Sequence, residues 1–164
     1  MDCGPAALRM ICTHNGRDFP QAWLRELSEI GKGGVNLLGI SEAAERLGMR
    51  SLAVRLSFNR FRDEAPLPCI AHWQGNHFVV VYEITRKKVR IADPAVGLID
   101  YTHDEFIRAS APPNTPLTED APGIYLLLEV TPVFDETISP GRSHGQPPVE
   151  GLASFSDICV RTSV

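Results

Sequence analysis

The change of hydrophobic period at Gly48 constrains this 164-residue chain more than any other feature. Before it, apolar residues recur at helical spacing; after it they alternate or run together at strand length. Ala7, Leu8, Met10, Ile11 and Cys12, with Asp2 and Pro5 as start signals and Asn15-Gly16 as a stop, predict a helix from Cys3 to His14. A second helix follows Pro20, with Trp23, Leu24, Leu27 and Ile30 on one face and Gly31-Lys32-Gly33-Gly34 ending it. Asn36 caps a third, Leu37 to Leu47, which Gly48 closes.

Beyond Gly48 the alternation of Leu52, Val54 and Leu56, the run Pro68–Trp73 and the β-branched, aromatic stretch Phe78–Ile84 predict strands. Arg86-Lys87-Lys88 and Pro94–Gly97 are turns around a strand at Val89–Ala92, and Leu98–Tyr101 pairs back. A short helix is expected from Thr102 or His103 to about Arg108, then a loop from Ala109 to Pro122 and a last strand, Gly123–Val130. Helices first and a mainly antiparallel sheet second make an α+β fold. The expected division is a folded domain over 1–134 and a flexible tail or linker over 135–164, where Ser, Gly, His and Pro follow no period.

Composition removes several function classes. With 16 basic and 20 acidic residues the chain offers no broad positive surface, so nucleic acid is not an expected partner. No apolar run approaches the ~18 residues of a membrane span. The start, Met1-Asp2-Cys3-Gly4-Pro5, has no basic segment followed by an apolar one, so no export signal is expected, and Cys3, Cys12, Cys69 and Cys159 read as free thiols.

Three positions pair a reactive side chain with an address that makes it reactive. Cys3 opens the first helix, where unpaired N–H groups and the helix dipole favour a thiolate. His77 follows a Gln74-Gly75-Asn76 turn at the mouth of an apolar strand, and Asp93 is confined to extended geometry by Pro94 at the end of another. A thiol, an imidazole and a carboxylate to hold the imidazole's tautomer are what thiol proteolysis requires. The order helix-borne Cys, then His, then Asp on strands is the papain-like layout.

These residues carry a resemblance. Asp2-Cys3-Gly4-Pro5-Ala6 with Leu8-Arg9-Met10-Ile11, Leu38-Gly39-Ile40, Ala43–Gly48, Pro68–Trp73, Asn76–Tyr82 and Ile91–Gly97 together resemble the bacteriocin-processing cysteine peptidases that form the N-terminal cytosolic domain of peptidase-containing ABC transporters. The likeness runs from Asp2 to about Phe106, with a weaker echo at Leu126–Pro132. It implies a papain-like fold with Cys3 as nucleophile, His77 as acid/base and Asp93 as orienting carboxylate. It implies no cofactor, cleavage of leader peptides after a double glycine, and a place on the cytoplasmic side of the bacterial inner membrane beside a transporter's membrane and ATPase parts. The family also has a glutamine a few residues before the cysteine, an oxyanion donor; only Met1 and Asp2 stand there in this sequence. The expectation is slow turnover, which a longer natural start would remove.

Two other readings compete with this one. Cys69, His72 and His77 lie within nine positions, but on one strand Cys69 and His72 face opposite ways and a turn precedes His77, which argues against zinc. The other rival is a catalytically weak module that binds the leader without cutting it. Trp73 is either a cleft wall or core. Leu8, Ile11, Leu24, Leu27, Ile40, Ala44, Leu47, Val54, Ile70, Val79, Val81, Ile91 and Leu127 are the expected core.

Overall fold

The computed structural model describes residues 2–29 and 36–140. Its helices α1 (Cys3–His14), α2 (Gln21–Ser28) and α3 (Leu37–Arg46) precede strand β1 (Met49–Ser57). Then come α4 (Phe58–Glu64), β2 (Cys69–Trp73), β3 (His77–Ile84), β4 (Lys88–Asp93), β5 (Gly97–Thr102), α5 (His103–Ser110), β6 (Pro122–Val130) and α6 (Pro132–Glu136). The α+β reading holds: one six-stranded sheet, ordered β1-β6-β2-β3-β4-β5, pairs antiparallel throughout. The long loop after α5 lets β6 cross to lie between β1 and β2, a placement that no local signal encodes.

Both faces of the sheet are covered, which is why β3 reads as an unbroken apolar run. Successive side chains of a strand point to opposite faces. Phe78 and Val80 therefore join Leu8, Ile11, Leu24, Ile40 and Leu47 under α1–α3, while Val79 and Val81 join Phe58, Phe61, Ile91, Phe106 and Tyr125 under α4 and α5. Helix α4 lies outside the sequence-based expectations. Ser57 caps it, accepting from the Arg60 N–H at 3.4 Å, and Phe58 and Phe61, one turn apart, are buried. Phe61 stacks between Tyr125 and Phe106. Leu27, Val54 and Leu127, expected in the core, are only half-buried; Leu126, next in the chain, is buried instead.

Gly48 ends the helical third at φ +89°, a left-handed conformation that a side chain resists, and a Cβ there would run into the backbone of Phe134. That contact seats α6: Thr131 donates through N–H (3.1 Å) and Oγ1 (2.5 Å) to the Gly48 carbonyl, and Phe134 is buried against Phe19. Contacts continue a little past Phe134. Arg17 donates to the carbonyls of Asp135 and Thr137, and Thr137 Oγ1 donates to Leu47 O at 2.9 Å. Residues 141–164, the bulk of the expected tail, lie outside the described residues, as do Ile30 and the Gly31–Gly34 turn.

Candidate active site

His77 is the first residue of β3 and Asp93 the last of β4. Because the strands are antiparallel, with Val80 opposite Ala92, the start of one meets the end of the other. The side chains bond there: His77 Nε2 lies 2.8 Å from Asp93 Oδ1. A carboxylate accepts, so in the tautomer that donates from Nε2 to Asp93 the ring's lone pair would stand on Nδ1.

Local backbone fixes both partners. Gln74 (φ 47°) and Gly75 (φ 82°) turn the chain from β2 into β3, and the Gln74 N–H donates to Ala109 O at 2.9 Å, tying the hairpin tip to the end of α5. Asp93 Oδ1 also accepts from the Ala95 N–H at 2.8 Å, the local turn expected of an Asp before proline. Asp93 is 7% exposed, and so well buried a carboxylate requires such donors.

Cys3 begins α1, which packs on β3 and, more lightly, on β2 and β4. It is buried, in one core cluster with Phe78 and Ala92, the chain neighbours of His77 and Asp93. Within that cluster it differs from Cys12. Burial pushes the Cys12 thiol far up, and the Cys69 thiol likewise in the second core, which leaves both as unreactive thiols. Cys3 instead stands at the N-terminus of α1, where backbone N–H groups have no partner within the helix.

The other candidates disperse. Cys69 packs in the second core, His72 lies on the Phe78 ring at 5.4 Å and His77 is held by Asp93, so the three zinc candidates have three separate sets of neighbours. Trp73 is core, against Tyr101 and Phe106. A hollow of about 620 Å³ opens beside the hairpin tip, lined by Gln74, Gly75, Tyr101, Arg108, Pro112 and Leu117. One neighbour of Cys3 was not foreseen: the Asp2 carboxylate accepts from Arg25 of α2, through Nε at 2.9 Å and through Nη2. The two residues stand 23 positions apart, beyond any periodicity.

Three helices headed by a thiol, packed on an antiparallel sheet that carries a bonded His–Asp pair, make the architecture of the papain-like cysteine peptidases. Within that class the chain belongs to the peptidase C39 family, which matches it over residues 1–109. The colicin V secretion/processing ATP-binding protein of Escherichia coli is 36% identical over 107 residues, 65% of this chain and 15% of that protein. The lactococcin-G-processing and transport ATP-binding protein of Lactococcus lactis is 37% identical over 110 residues, 64% of this chain and 16% of that protein. The chain thus spans about a sixth of the length of these relatives. Among solved structures, a double glycine motif protease from an AMS/PCAT transporter, in complex with the leader peptide, superposes with a TM-score of 0.68 at 30% identity, covering 79% of this chain and 85% of that one. The peptidase domain of Streptococcus ComA, a bi-functional ABC transporter, gives 0.64 at 28% identity, with 79% and 92% covered.

Proposed function

We propose that this chain is the leader-cleaving part of a peptide exporter, and that Cys3, His77 and Asp93 carry the reaction. The observation that supports this most is the His77–Asp93 bond beside a helix headed by Cys3, in a chain whose family relatives process exported peptides.

His77 Nδ1 takes the Cys3 proton, and the thiolate sulfur attacks the carbonyl carbon of the peptide bond. The oxyanion that forms is met by N–H donors of the first turn of α1. His77 then returns the proton to the leaving amine as the C–N bond breaks, leaving a thioester on Cys3. Water, deprotonated by His77, attacks the thioester, and the released thiolate completes the cycle. Asp93 keeps the imidazole in the tautomer that can accept at Nδ1 and steadies the imidazolium.

Cleavage after Gly-Gly has a physical logic, since a narrow cleft beside the nucleophile admits a backbone without Cβ atoms. Apolar residues on a helical leader then supply binding energy away from the scissile bond. In this reading the domain works on the cytoplasmic side of the membrane, next to a transporter's membrane and ATPase parts. The test is a synthetic peptide with an amphipathic leader ending in Gly-Gly and a short cargo: the chain releases the cargo after the second glycine, and the Cys3→Ala variant does not. Equal release by both would refute the assignment.

A further inference from the structure

Aspartate is a favoured helix N-cap because its carboxylate accepts from the N–H of the second or third helical residue. Asp2 holds the N-cap position of α1 and makes no such bond; its backbone (φ −101°, ψ 15°) also departs from the extended conformation in which Asn36, Ser57 and Thr102 cap α3, α4 and α5. Both its oxygens are instead taken by the guanidinium of Arg25, one by Nε at 2.9 Å and the other by Nη2. In this helix the diversion matters more than usual. Pro5 has no N–H, and the Ala6 N–H already donates to the Asp2 carbonyl at 2.9 Å. Among the described residues the donors left at the start are those of Cys3 itself and of Gly4, and Gly4 is the one an ordinary aspartate cap would occupy.

We propose that Arg25 is a positioning residue of the peptidase reaction: it draws the Asp2 carboxylate off the first turn of α1, keeping the Cys3 and Gly4 N–H groups open to the oxyanion and a negative charge away from the thiolate. The proposal rests on the assignment of Cys3 as nucleophile. The side chains of Arg25 and Asp2 remain 43% and 44% exposed. At that exposure an ion pair adds little stability, so bracing of α1 against α2 is a weak reason for its two-pronged geometry.

The three roles open to this pair give different double-mutant patterns. If Arg25 acts by restraining Asp2, Arg25→Ala frees the residue to turn to the extended capping conformation and its carboxylate to cap Gly4, and kcat on the Gly-Gly peptide falls on the order of 10², the scale of one oxyanion donor, with KM within about twofold. Asp2→Ala stays within about threefold of the parent, and Asp2→Ala/Arg25→Ala recovers most of the lost kcat. A simple brace would make Asp2→Ala as damaging as Arg25→Ala. A direct effect of the arginine charge on the thiolate would leave the double variant as slow as Arg25→Ala. Either of those results overturns the proposal. Should Arg25→Ala unfold the chain, Arg25→Met keeps the aliphatic stem and repeats the cycle. Iodoacetamide labelling of Cys3, read by peptide mapping against Cys12 and Cys69, needs no substrate: slowed by Arg25→Ala and restored in the double variant, it supports the restraint even where no peptide is cut. A labelling rate unchanged by Arg25→Ala, or unrestored in the double variant, refutes it. Failure of the peptidase reading itself shows separately, as cleavage that persists in Cys3→Ala.

Discussion

Two helices of this molecule start in opposite ways. At α5, Thr102 Oγ1 accepts from the Glu105 N–H at 3.3 Å while the Glu105 carboxylate accepts from the Thr102 N–H at 2.8 Å, a closed capping box that leaves those donors no other work. At α1 the capping carboxylate is turned aside to Arg25, and the donors around Cys3 are left uncapped. One start is closed by its own side chains; under the role proposed for Arg25, the other gives up a cap to keep its N–H groups available. The difference shows that a missing cap can be informative, because the residue that should supply it is present and bonded elsewhere.

Perturbing each start sharpens the contrast. The largest effect is at Cys3: Cys3→Ala abolishes cleavage of a Gly-Gly peptide, while the free energy of unfolding, read in urea, moves by about 1 kcal/mol or less because only a small side chain is altered. Asp93→Asn keeps the geometry around His77 but loses control of the tautomer, so kcat should fall by roughly 10²–10⁴ with KM little changed in steady-state assays. Asp2→Ser places a capping hydroxyl at α1 too short to reach Arg25. It should lower kcat several-fold with no loss in melting temperature, making α1 resemble α5; unchanged kcat would break the comparison.

Thr102→Ala opens the box at α5 and should lower stability by about 1 kcal/mol with kcat untouched. The smallest effect is on pH. Hydrogen bonds from the Thr102 backbone and side chain hold the Glu105 carboxyl below its ordinary value. A depressed acid contributes stability above its unfolded pKa that is lost as pH falls through the folded one. Glu105→Ala should therefore narrow the stability difference between pH 7 and pH 3 in denaturant titrations, and a widened difference would contradict the box.

The parts of the fold legible in the sequence are those set by neighbours in the chain. The ends of α1 and the capping of α3 by Asn36 follow from local chemistry, as does the strand running in from His77. So does the address of each site residue, since a helix start and two strand ends are local events. What was hidden depends on distant contacts. α4 is only seven residues long and its two phenylalanines sit inside a stretch rich in charge; their burial is decided by Tyr125 and Phe106, far along the chain. Leu127 and Leu126 exchange burial because β6 lies between β1 and β2, an arrangement set by pairing rather than by pattern. The Arg25–Asp2 bond joins two helices whose packing no single segment specifies.

The covering of β3 on both faces has a consequence for how this molecule fails. Val79, Val80 and Val81 are fully buried, with one core on each side, and backbone amides so enclosed exchange with solvent only when the whole domain opens. The imidazole of His77 hangs from the end of that strand. Catalysis and global unfolding should then be lost at the same temperature in a heating experiment, leaving no range in which a folded but inactive peptidase accumulates.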